Sequence, residues 1–381
     1  MSGTNNASSE EIPPLGVYVH WPYCVRICPY CDFNVYKRRD IDAQQWSDAL
    51  IRDLKRYAAV TPTRPLTSLY FGGGTPSLAP LSVLEAVINA CAEIWGFRRN
   101  AEITVEANPT SAEKEDFKNF ARTGVTRLSL GAQSLRDEAL TFLGRDHNAR
   151  EARAAIDLAL GLFPKSSFDL IYALPEQTVD DWTRELRDAI SIGPRHLSLY
   201  QLTIEPGTAF ERAVARGAWT PPADGLAADM FDATQILTAE LGLPAYEISN
   251  HARPENMSQH NSLYWSGGDY IGVGPGAHGR LSTSEGRLAT QTERAPEHYL
   301  AGRRGDEDLL STKEILTESL AMGLRTVEGC RLTPSLYEHL AAKSETLSLL
   351  IGDGLLQIDD QALRATSAGR RVLNALVSEL I

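Results

Sequence analysis

Three absences narrow the class of protein that this sequence encodes. No apolar run approaches the roughly 18–20 residues of a membrane-spanning helix, which disfavours an integral membrane protein. No long basic run offsets the excess of Asp and Glu, 49 residues against 37 Lys and Arg. An acidic surface repels phosphate, so nucleic acid is a poor partner. No G-x-G-x-x-G motif opens the first predicted helix, which weighs against a dinucleotide-binding fold.

Cysteine is scarce, and its distribution is uneven. The chain has five cysteines, of which Cys24, Cys28 and Cys31 lie within eight residues, while Cys91 and Cys330 are isolated. An odd number with one tight group does not suit a disulfide framework. In a reducing compartment such a group more often binds metal. Because residues 1–15 do not read as a signal peptide and no apolar run is long enough for a membrane span, we place the protein in the cytoplasm and leave peripheral membrane contact open.

The 381 residues, 43% of them hydrophobic, suffice for a large core and alternate between strand-like and helix-like segments. Six segments read as strands, at 16–21, 68–73, 102–107, 127–132, 168–173 and 196–203. Parallel neighbours need crossover helices, so serial β–α units predict a parallel sheet. We predict a partial (β/α)6 TIM-like barrel, with a doubly wound open sheet as the alternative.

The predicted domain organisation has four parts. Residues 1–15 are polar and read as a disordered lead-in, and 16–240 form the partial barrel. Residues 241–308 form an extension of the barrel that ends in a polar linker or mobile loop at 281–308. Residues 309–381 form a small, mainly helical domain of winged-helix type.

The clustered cysteines have the spacing C-x3-C-x2-C and follow the first predicted strand. Thiolates suit iron–sulfur clusters and zinc. A structural zinc site needs four ligands, usually from two paired knuckles, and no second C-x-x-C is present. Three thiolates on a 4Fe–4S cluster would leave one iron open to a non-protein ligand. The spacing favours the cluster, and zinc remains an alternative.

Polar residues stand at the ends of predicted strands two, three and four, where β/α barrels carry functional groups, while Arg145 follows in L-G-R-D-H and Asp169 lies within strand five. The glycines of G-G-G-T-P let the backbone approach a ligand and expose N–H donors. A carboxylate can accept hydrogen bonds from ribose, and a glutamine both donates and accepts. The candidates are Gly73, Gly74, Thr75, Glu106, Gln133, Arg145 and Asp169.

Taken together, these motifs resemble the coproporphyrinogen dehydrogenase-like radical S-adenosylmethionine (radical SAM) family. In order along the chain they are VYVHWPYCVRICPYCDFN, YFGGGTPS, VEANP, RLSLGAQS, LGRDH, DLIYALPEQT, LSLYQLTIEPGT, YEISNHARP, HNSLYW and YIGVGPGAHG. The oxygen-independent dehydrogenases carry a further cysteine where this chain has Phe33, and a longer N-terminal segment. The C-D-F-N sequence and H-N-x-x-Y-W instead look like the HemW-type haem chaperones.

The resemblance implies three cofactors: a 4Fe–4S cluster, S-adenosylmethionine and haem. It implies that Cys24, Cys28 and Cys31 hold the cluster. It implies an S-adenosylmethionine site lined by Tyr18, Tyr30, Gly73, Gly74, Thr75, Glu106, Gln133, Arg145 and Asp169.

For haem, the resemblance implies His260 as the leading ligand. His251 and His278 are rivals, and a histidine near Tyr and Trp is otherwise more often a hydrogen-bonded core residue. The implied function is haem delivery to haem-requiring respiratory proteins, without coproporphyrinogen dehydrogenase activity. The alternative is a radical SAM oxidoreductase acting on coproporphyrinogen III or a related porphyrinogen. An exposed haem would favour a homodimer.

Overall fold

The structure is a computed structural model that describes residues 13–37 and 40–381. Its strands are β1 Leu15–Trp21, β2 Tyr23–Cys24, β3 Tyr36–Lys37, β4 Leu66–Gly73, β5 Phe97–Ala107, β6 Arg127–Gln133, β7 Ser167–Tyr172, β8 His196–Gln201, β9 Asn250–Ala252, β10 Asp269–Val273, β11 His278–Thr283, β12 Gly286–Gln291, β13 Asp306–Leu309, β14 Cys330–Arg331, β15 Leu356–Ile358 and β16 Ala362–Ala365. Its α-helices are α1 Ala43–Ala58, α2 Leu81–Ile94, α3 Ser111–Arg122, α4 Asp137–Phe142, α5 Ala149–Leu162, α6 Val179–Ser191, α7 Ala209–Ala215, α8 Asp224–Glu240, α9 Gln259–Trp265, α10 Pro296–Leu300, α11 Thr312–Gly323, α12 Pro334–Ala342, α13 Ser344–Gly352, α14 Ser367–Arg371 and α15 Leu373–Leu380.

The predicted partial barrel is confirmed. Strands β1, β4, β5, β6, β7 and β8 are parallel and lie side by side in chain order, within an 11-stranded sheet. A doubly wound sheet reverses its strand order at a switch point, and no reversal occurs in these six strands. The sheet ends at β9 on one side and at β13 on the other, so the barrel is open.

Alternation along the strands separates the helix-facing core from the barrel interior. On β1, Val17 and Val19 are buried in the main hydrophobic core, which includes Trp46 and Leu50 of α1. Tyr18 and His20 point to the opposite face, where the ring of Tyr18 stacks on Tyr70 of β4. The polar groups of the parallel strands therefore share the barrel interior.

One prediction was wrong: the polar segment 281–308 is not a linker. Strands β11, β12 and β13 extend the main sheet beyond β10, each antiparallel to the strand before it, and α10 precedes the last of them. Backbone hydrogen bonds can pair such strands even when their side chains are polar. Strand β13 lies at the edge of the sheet, and its acidic side chains are exposed. A strand with one solvent-exposed face needs few apolar residues, so the amino-acid composition of such a segment resembles that of a loop.

The H-N-x-x-Y-W element forms α9, and a buried ion pair fixes its first turn. The Glu102 carboxylate accepts from Gln259 N at 3.0 Å and pairs with Arg127 at 3.1 Å. Arg127 also donates to the Asn256 carbonyl just before the helix. The negative charge lies at the helix N-terminus, where unpaired N–H groups favour it.

The C-terminal residues form a second, smaller core between Leu320 and Leu380. The order α11, β14, α12, α13, β15, β16 is that of a winged helix, and β14 pairs with β16, the last strand. Two further helices, α14 and α15, complete this mainly helical domain. The domain boundaries at 240 and 309 stay predictions.

The predicted disordered segment 1–15 falls outside the described residues up to position 12, and Leu15 already belongs to β1. Over residues 13–37 and 40–381, no helix has both the length and the apolar character needed to cross a bilayer.

Candidate cofactor site

The three clustered cysteines lie on the loop that follows β1. The short β2–β3 ladder pairs Tyr23 with Tyr36 and closes the base of this loop. Cys24 is buried and Cys28 and Cys31 are half-buried, and all three line one cavity of about 460 Å³. Burial raises the pKa of the Cys24 thiol and raises that of Cys31 to about 11. Metal binding at these thiols therefore releases protons.

The G-G-G-T-P turn after β4 packs directly against the cysteine loop. A Cβ at Gly74 would lie 2.8 Å from the Tyr23 carbonyl oxygen and 3.0 Å from Cys24 Sγ, so only glycine fits. The predicted free N–H donors are absent from this turn. Gly73 N donates to Glu106, Gly74 N to the Trp21 carbonyl, and Thr75 N to the Tyr23 carbonyl. The glycines serve close packing of the two loops.

Two of the cysteine sulfurs accept hydrogen bonds from the barrel. Thr75 Oγ1 lies 3.5 Å from Cys24 Sγ, and Arg145 Nη1 lies 3.1 Å from Cys28 Sγ. Asn108 connects these donors, because it donates to Thr75 Oγ1 at 3.3 Å and accepts from Arg145 Nη2. Sequence reasoning missed Asn108, although it stands two residues after Glu106 in E-A-N-P, at the end of β5.

Two carboxyl groups face the same cavity from β5 and β7. Glu106 accepts from Tyr70 Oη at 2.8 Å and from Gly73 N at 3.0 Å, and burial raises its pKa to about 7. Burial also raises the pKa of Asp169 to about 6. Asp169 Oδ1 is buried without a hydrogen-bond partner among the described residues. An acceptor in this state is costly unless a ligand satisfies it.

Gln133 and Tyr30 complete the cavity wall. Gln133 ends β6 with φ of 66°, a left-handed conformation that is uncommon outside glycine and that often marks a functional site. The Tyr30 ring contacts Phe210 at a centroid distance of 6.2 Å, and its hydroxyl lies 3.4 Å from Arg145 Nη1. Burial raises the pKa of Tyr30.

Two predicted site residues lie away from the cavity wall. Tyr18 is in the barrel interior, with its hydroxyl 3.0 Å from His20 Nδ1. His260 is 1% exposed, and both of its ring nitrogens are engaged, Nδ1 with Ser68 Oγ at 2.8 Å and Nε2 with Tyr264 Oη at 2.5 Å. Burial lowers the pKa of His260 to about 3. Both nitrogens are therefore occupied by hydrogen bonds, and haem ligation by His260 stays a prediction.

The remaining eleven predicted residues line the cavity together: Cys24, Cys28, Cys31, Tyr30, Gly73, Gly74, Thr75, Glu106, Gln133, Arg145 and Asp169. Its volume is within the range of about 300–1,000 Å³ typical of small-molecule sites. Among the described residues, no three His, Cys, Asp or Glu side chains are grouped closely enough to hold one metal ion. In a four-iron cluster the thiolates bind separate irons, so they need not converge on one point. The donor set thus fits a cluster beside a polar organic cofactor with hydroxyl and ammonium groups.

A partial parallel barrel with three cysteines after its first strand defines a radical SAM protein. The chain matches the radical SAM superfamily over residues 18–189 and the HemN C-terminal domain over 310–372. It is 39% identical to the Bos taurus "Radical S-adenosyl methionine domain-containing protein 1, mitochondrial", covering 96% of this chain and 87% of the relative. It is also 39% identical to the Escherichia coli "Heme chaperone HemW", over 77% of each chain. The solved coproporphyrinogen III oxidase (HemN) of Escherichia coli shares the fold, with a TM-score of 0.79 at 22% identity over 97% of this chain and 90% of that one.

The chain therefore belongs to the HemW-type haem chaperone family within the radical SAM superfamily. The cofactors of that superfamily are a 4Fe–4S cluster and S-adenosylmethionine, which together supply radical chemistry.

Proposed function

We propose that this protein is a haem chaperone, which binds haem and delivers it to haem-requiring respiratory proteins. The similarity to proteins named haem chaperones carries the proposal, because one of them, from Mycobacterium tuberculosis, matches over 97% of this chain and 95% of its own length. Phe33, which is 59% exposed at the cavity mouth, supports it. The resembling dehydrogenases carry a cysteine at that position.

Within this proposal, Cys24, Cys28 and Cys31 hold the 4Fe–4S cluster. Arg145 and Thr75 each donate to one of these sulfurs and stabilise the thiolates by charge and hydrogen bonding.

The same cavity then holds S-adenosylmethionine against Tyr30, Gly73, Gly74, Gln133 and the two carboxyl groups. Glu106 can accept from ribose hydroxyls. The unpartnered Asp169 oxygen can accept a further hydrogen bond from the cofactor. Tyr18 supports this wall indirectly, through its ring contact with Tyr70, which donates to Glu106.

A second candidate function is oxidation of coproporphyrinogen III or a related porphyrinogen. One observation favours it: the cavity is complete, with Glu106, Gln133, Arg145 and Asp169 all in place. A protein that only carries haem would not need all four of these groups.

The test uses the full chain, reconstituted anaerobically with iron and sulfide and supplied with S-adenosylmethionine. We expect saturable haem binding, followed by the Soret band, and no consumption of coproporphyrinogen III. We also expect transfer of the bound haem to an apo-protein of a haem-requiring respiratory enzyme. Turnover of the porphyrinogen would establish the second candidate, and failure to bind haem would overturn the chaperone proposal.

A further inference from the structure

The histidines of this chain differ sharply in accessibility, which bears on how haem could be ligated. Imidazole is a common axial ligand of haem iron, and it must offer an unprotonated nitrogen to an open face. All eight histidines lie within the described residues. Five are buried and hydrogen-bonded, namely His20, His147, His196, His251 and His260. His339 is half-buried and its Nε2 contacts the Leu380 carbonyl at 2.7 Å.

Only His278 and His298 are exposed. His298 lies on α10, in the helix layer outside the sheet, where neighbouring Tyr299 stacks on Trp46 of α1. Its Nδ1 lies 3.4 Å from Arg303 Nη1. These contacts of His298 include no apolar surface on which a porphyrin ring could pack.

His278 begins β11 on the inner side of the sheet. Residues two apart on a strand share a face, so His278 lies on the same side as Arg280. Arg280 pairs with Tyr270 of β10, whose ring contacts Tyr264 in the barrel interior at 4.3 Å. A Cβ at Gly272 of β10 would clash with the His278 carbonyl oxygen, and Gly272 pairs with Tyr18 of β1, the strand that leads into the cysteine loop. His278 is therefore an exposed imidazole on the concave face, toward the end of the sheet that carries the cysteine loop.

The cysteine loop supplies the apolar surface that a porphyrin plane needs. Val25, Ile27 and Phe33 are 66%, 40% and 59% exposed and line the cavity mouth. Asn34 ties this loop to the segments before β11 and after β12, because its Nδ2 donates to the Pro275 and Arg294 carbonyls at 2.9 Å each. Clustered, exposed apolar side chains at a cavity mouth indicate a ligand or partner surface.

The charge around His278 is also suitable. Desolvation lowers the pKa of its imidazole, and the cations Arg280 and Arg294 lower it further, so a neutral nitrogen is available for iron. Arg280 is bound to Glu318 of α11, whereas Arg294 is exposed and makes no ion pair within residues 13–37 and 40–381. A free guanidinium matches a propionate carboxylate.

We propose that haem binds at the barrel mouth with His278 as its axial ligand, its macrocycle against Phe33 and a propionate on Arg294. This inference rests on the proposed haem-chaperone function and assigns its binding site. It places haem beside the cysteine loop and leaves His260 as a buried residue that secures α9.

The test is a ferric haem titration of protein already loaded with its 4Fe–4S cluster, so that free cysteine thiols cannot ligate haem. Native protein is compared with His278→Ala, His260→Ala and the exposed control His298→Ala. We expect His278→Ala to weaken binding by about tenfold or more and to change the Soret position and the electron paramagnetic resonance of the ferric iron. His298→Ala should leave both unchanged.

Imidazole rescue separates loss of a ligand from loss of structure. Free imidazole should restore the native haem spectrum in His278→Gly, and iron content should report an intact cluster site. Native protein that binds haem while His278→Ala retains its affinity and spectrum would overturn this assignment but not the chaperone function. Native protein that binds no haem would overturn the chaperone function, and the assignment with it.

Discussion

At the residue scale, the packing around the cysteine loop is closer than spacing alone could indicate. Gly74 lets the turn after β4 lie on the cysteine loop, and Asn108 links the donors that reach Cys24 and Cys28. Donors to cluster sulfurs and their supporting groups tune the potential and affinity of iron–sulfur sites. We therefore propose Asn108 as a positioning residue of the proposed cluster site.

Replacing Gly74 by alanine should impair cluster assembly. The new Cβ would lie 2.8 Å from the Tyr23 carbonyl oxygen and 3.0 Å from Cys24 Sγ, so the loop must move. We expect the iron and sulfide content per chain to fall about twofold or more after anaerobic reconstitution. The matched control is Gly161→Ala, on an exposed helix position with no close neighbour, which should gain about 0.5–1 kcal/mol of stability. Full iron content in Gly74→Ala would contradict the packing argument.

The carboxyl group of Glu106 should make the stability of the cofactor-free protein depend on pH. Its folded pKa of about 7 lies above the ordinary value of 4.5, so the folded state holds the proton more tightly than the unfolded chain. This stabilisation is complete below pH 4.5 and is lost as the pH rises to about 7. Glu106→Gln stays neutral and should reduce that loss.

Urea unfolding of the cofactor-free protein across this pH window measures the effect. Glu338→Gln, on an exposed position of α12, is the control and should follow the native curve. Identical slopes for Glu106→Gln and the native protein would show that Glu106 does not carry the linkage. Asp169 has a raised pKa of about 6, so its protonation also stabilises the folded state at low pH, and this stabilisation is lost as the pH rises to about 6.

At the element scale, α9 is held by charge as well as by packing. Glu102 is fully buried and accepts from the first residues of the helix, and its partner Arg127 is 1% exposed. The H-N-x-x-Y-W element therefore depends on a residue of β5 that lies far from it in sequence.

Removing the Glu102 carboxylate should be strongly destabilising. Glu102→Ala leaves Arg127 as a buried unpaired charge, and we expect a loss of about 3–5 kcal/mol in the free energy of unfolding, measured by denaturant titration. The double variant Glu102→Ala with Arg127→Met should recover part of this loss because no buried charge remains. The solvent-exposed pair Arg184–Asp181 is the control, since solvent screens it and Arg184→Ala should cost far less stability than Glu102→Ala. A loss as small as the control's would contradict the proposed anchoring.

At the scale of the whole molecule, Glu247 joins the barrel to the C-terminal domain. Its buried carboxylate pairs with Arg325 at 2.9 Å, and its backbone carbonyl accepts from Arg370 at 2.6 Å. An exposed pair, Arg371 with Asp232, also crosses between the two regions. The buried contact should dominate because solvent screens the exposed one.

Glu247→Ala should uncouple the unfolding of the two regions. Arg325 loses its partner, and the amides of Ser249 and Asn250 lose an acceptor, so about 3 kcal/mol or more of stabilisation disappears. Scanning calorimetry should then show an earlier transition for the C-terminal domain. Arg371→Ala should retain the native profile, and a single unshifted transition in Glu247→Ala would exclude this coupling role. Haem-induced dimerisation stays a prediction that gel filtration with and without haem would check.

Much of the candidate site could be predicted from the order of strands and helices along the chain. Parallel strands in series bring their carboxyl ends to one edge, so the strand pattern places Glu106 and Gln133 together, and the family resemblance adds Arg145 and Asp169. The cysteine spacing likewise indicated a shared metal site before any contact was known. Local periodicity and topology suffice for such inferences because they involve neighbours in the repeat.

The remaining features depend on contacts between distant segments. Residues in the segment 281–308 join the sheet because β10 has an edge with which β11 can pair. The polar composition of the segment gives no information about that edge, which lies in a different part of the chain. The two nitrogens of His260 are engaged because Ser68 and Tyr264 converge on it, whereas His278 stays exposed at the barrel mouth. The sequence by itself determined the repeat, the cysteine group and the polar strand ends. Only the tertiary structure decided which side chains are buried, paired or open to a ligand, because burial is a property of the packed chain and not of any one segment.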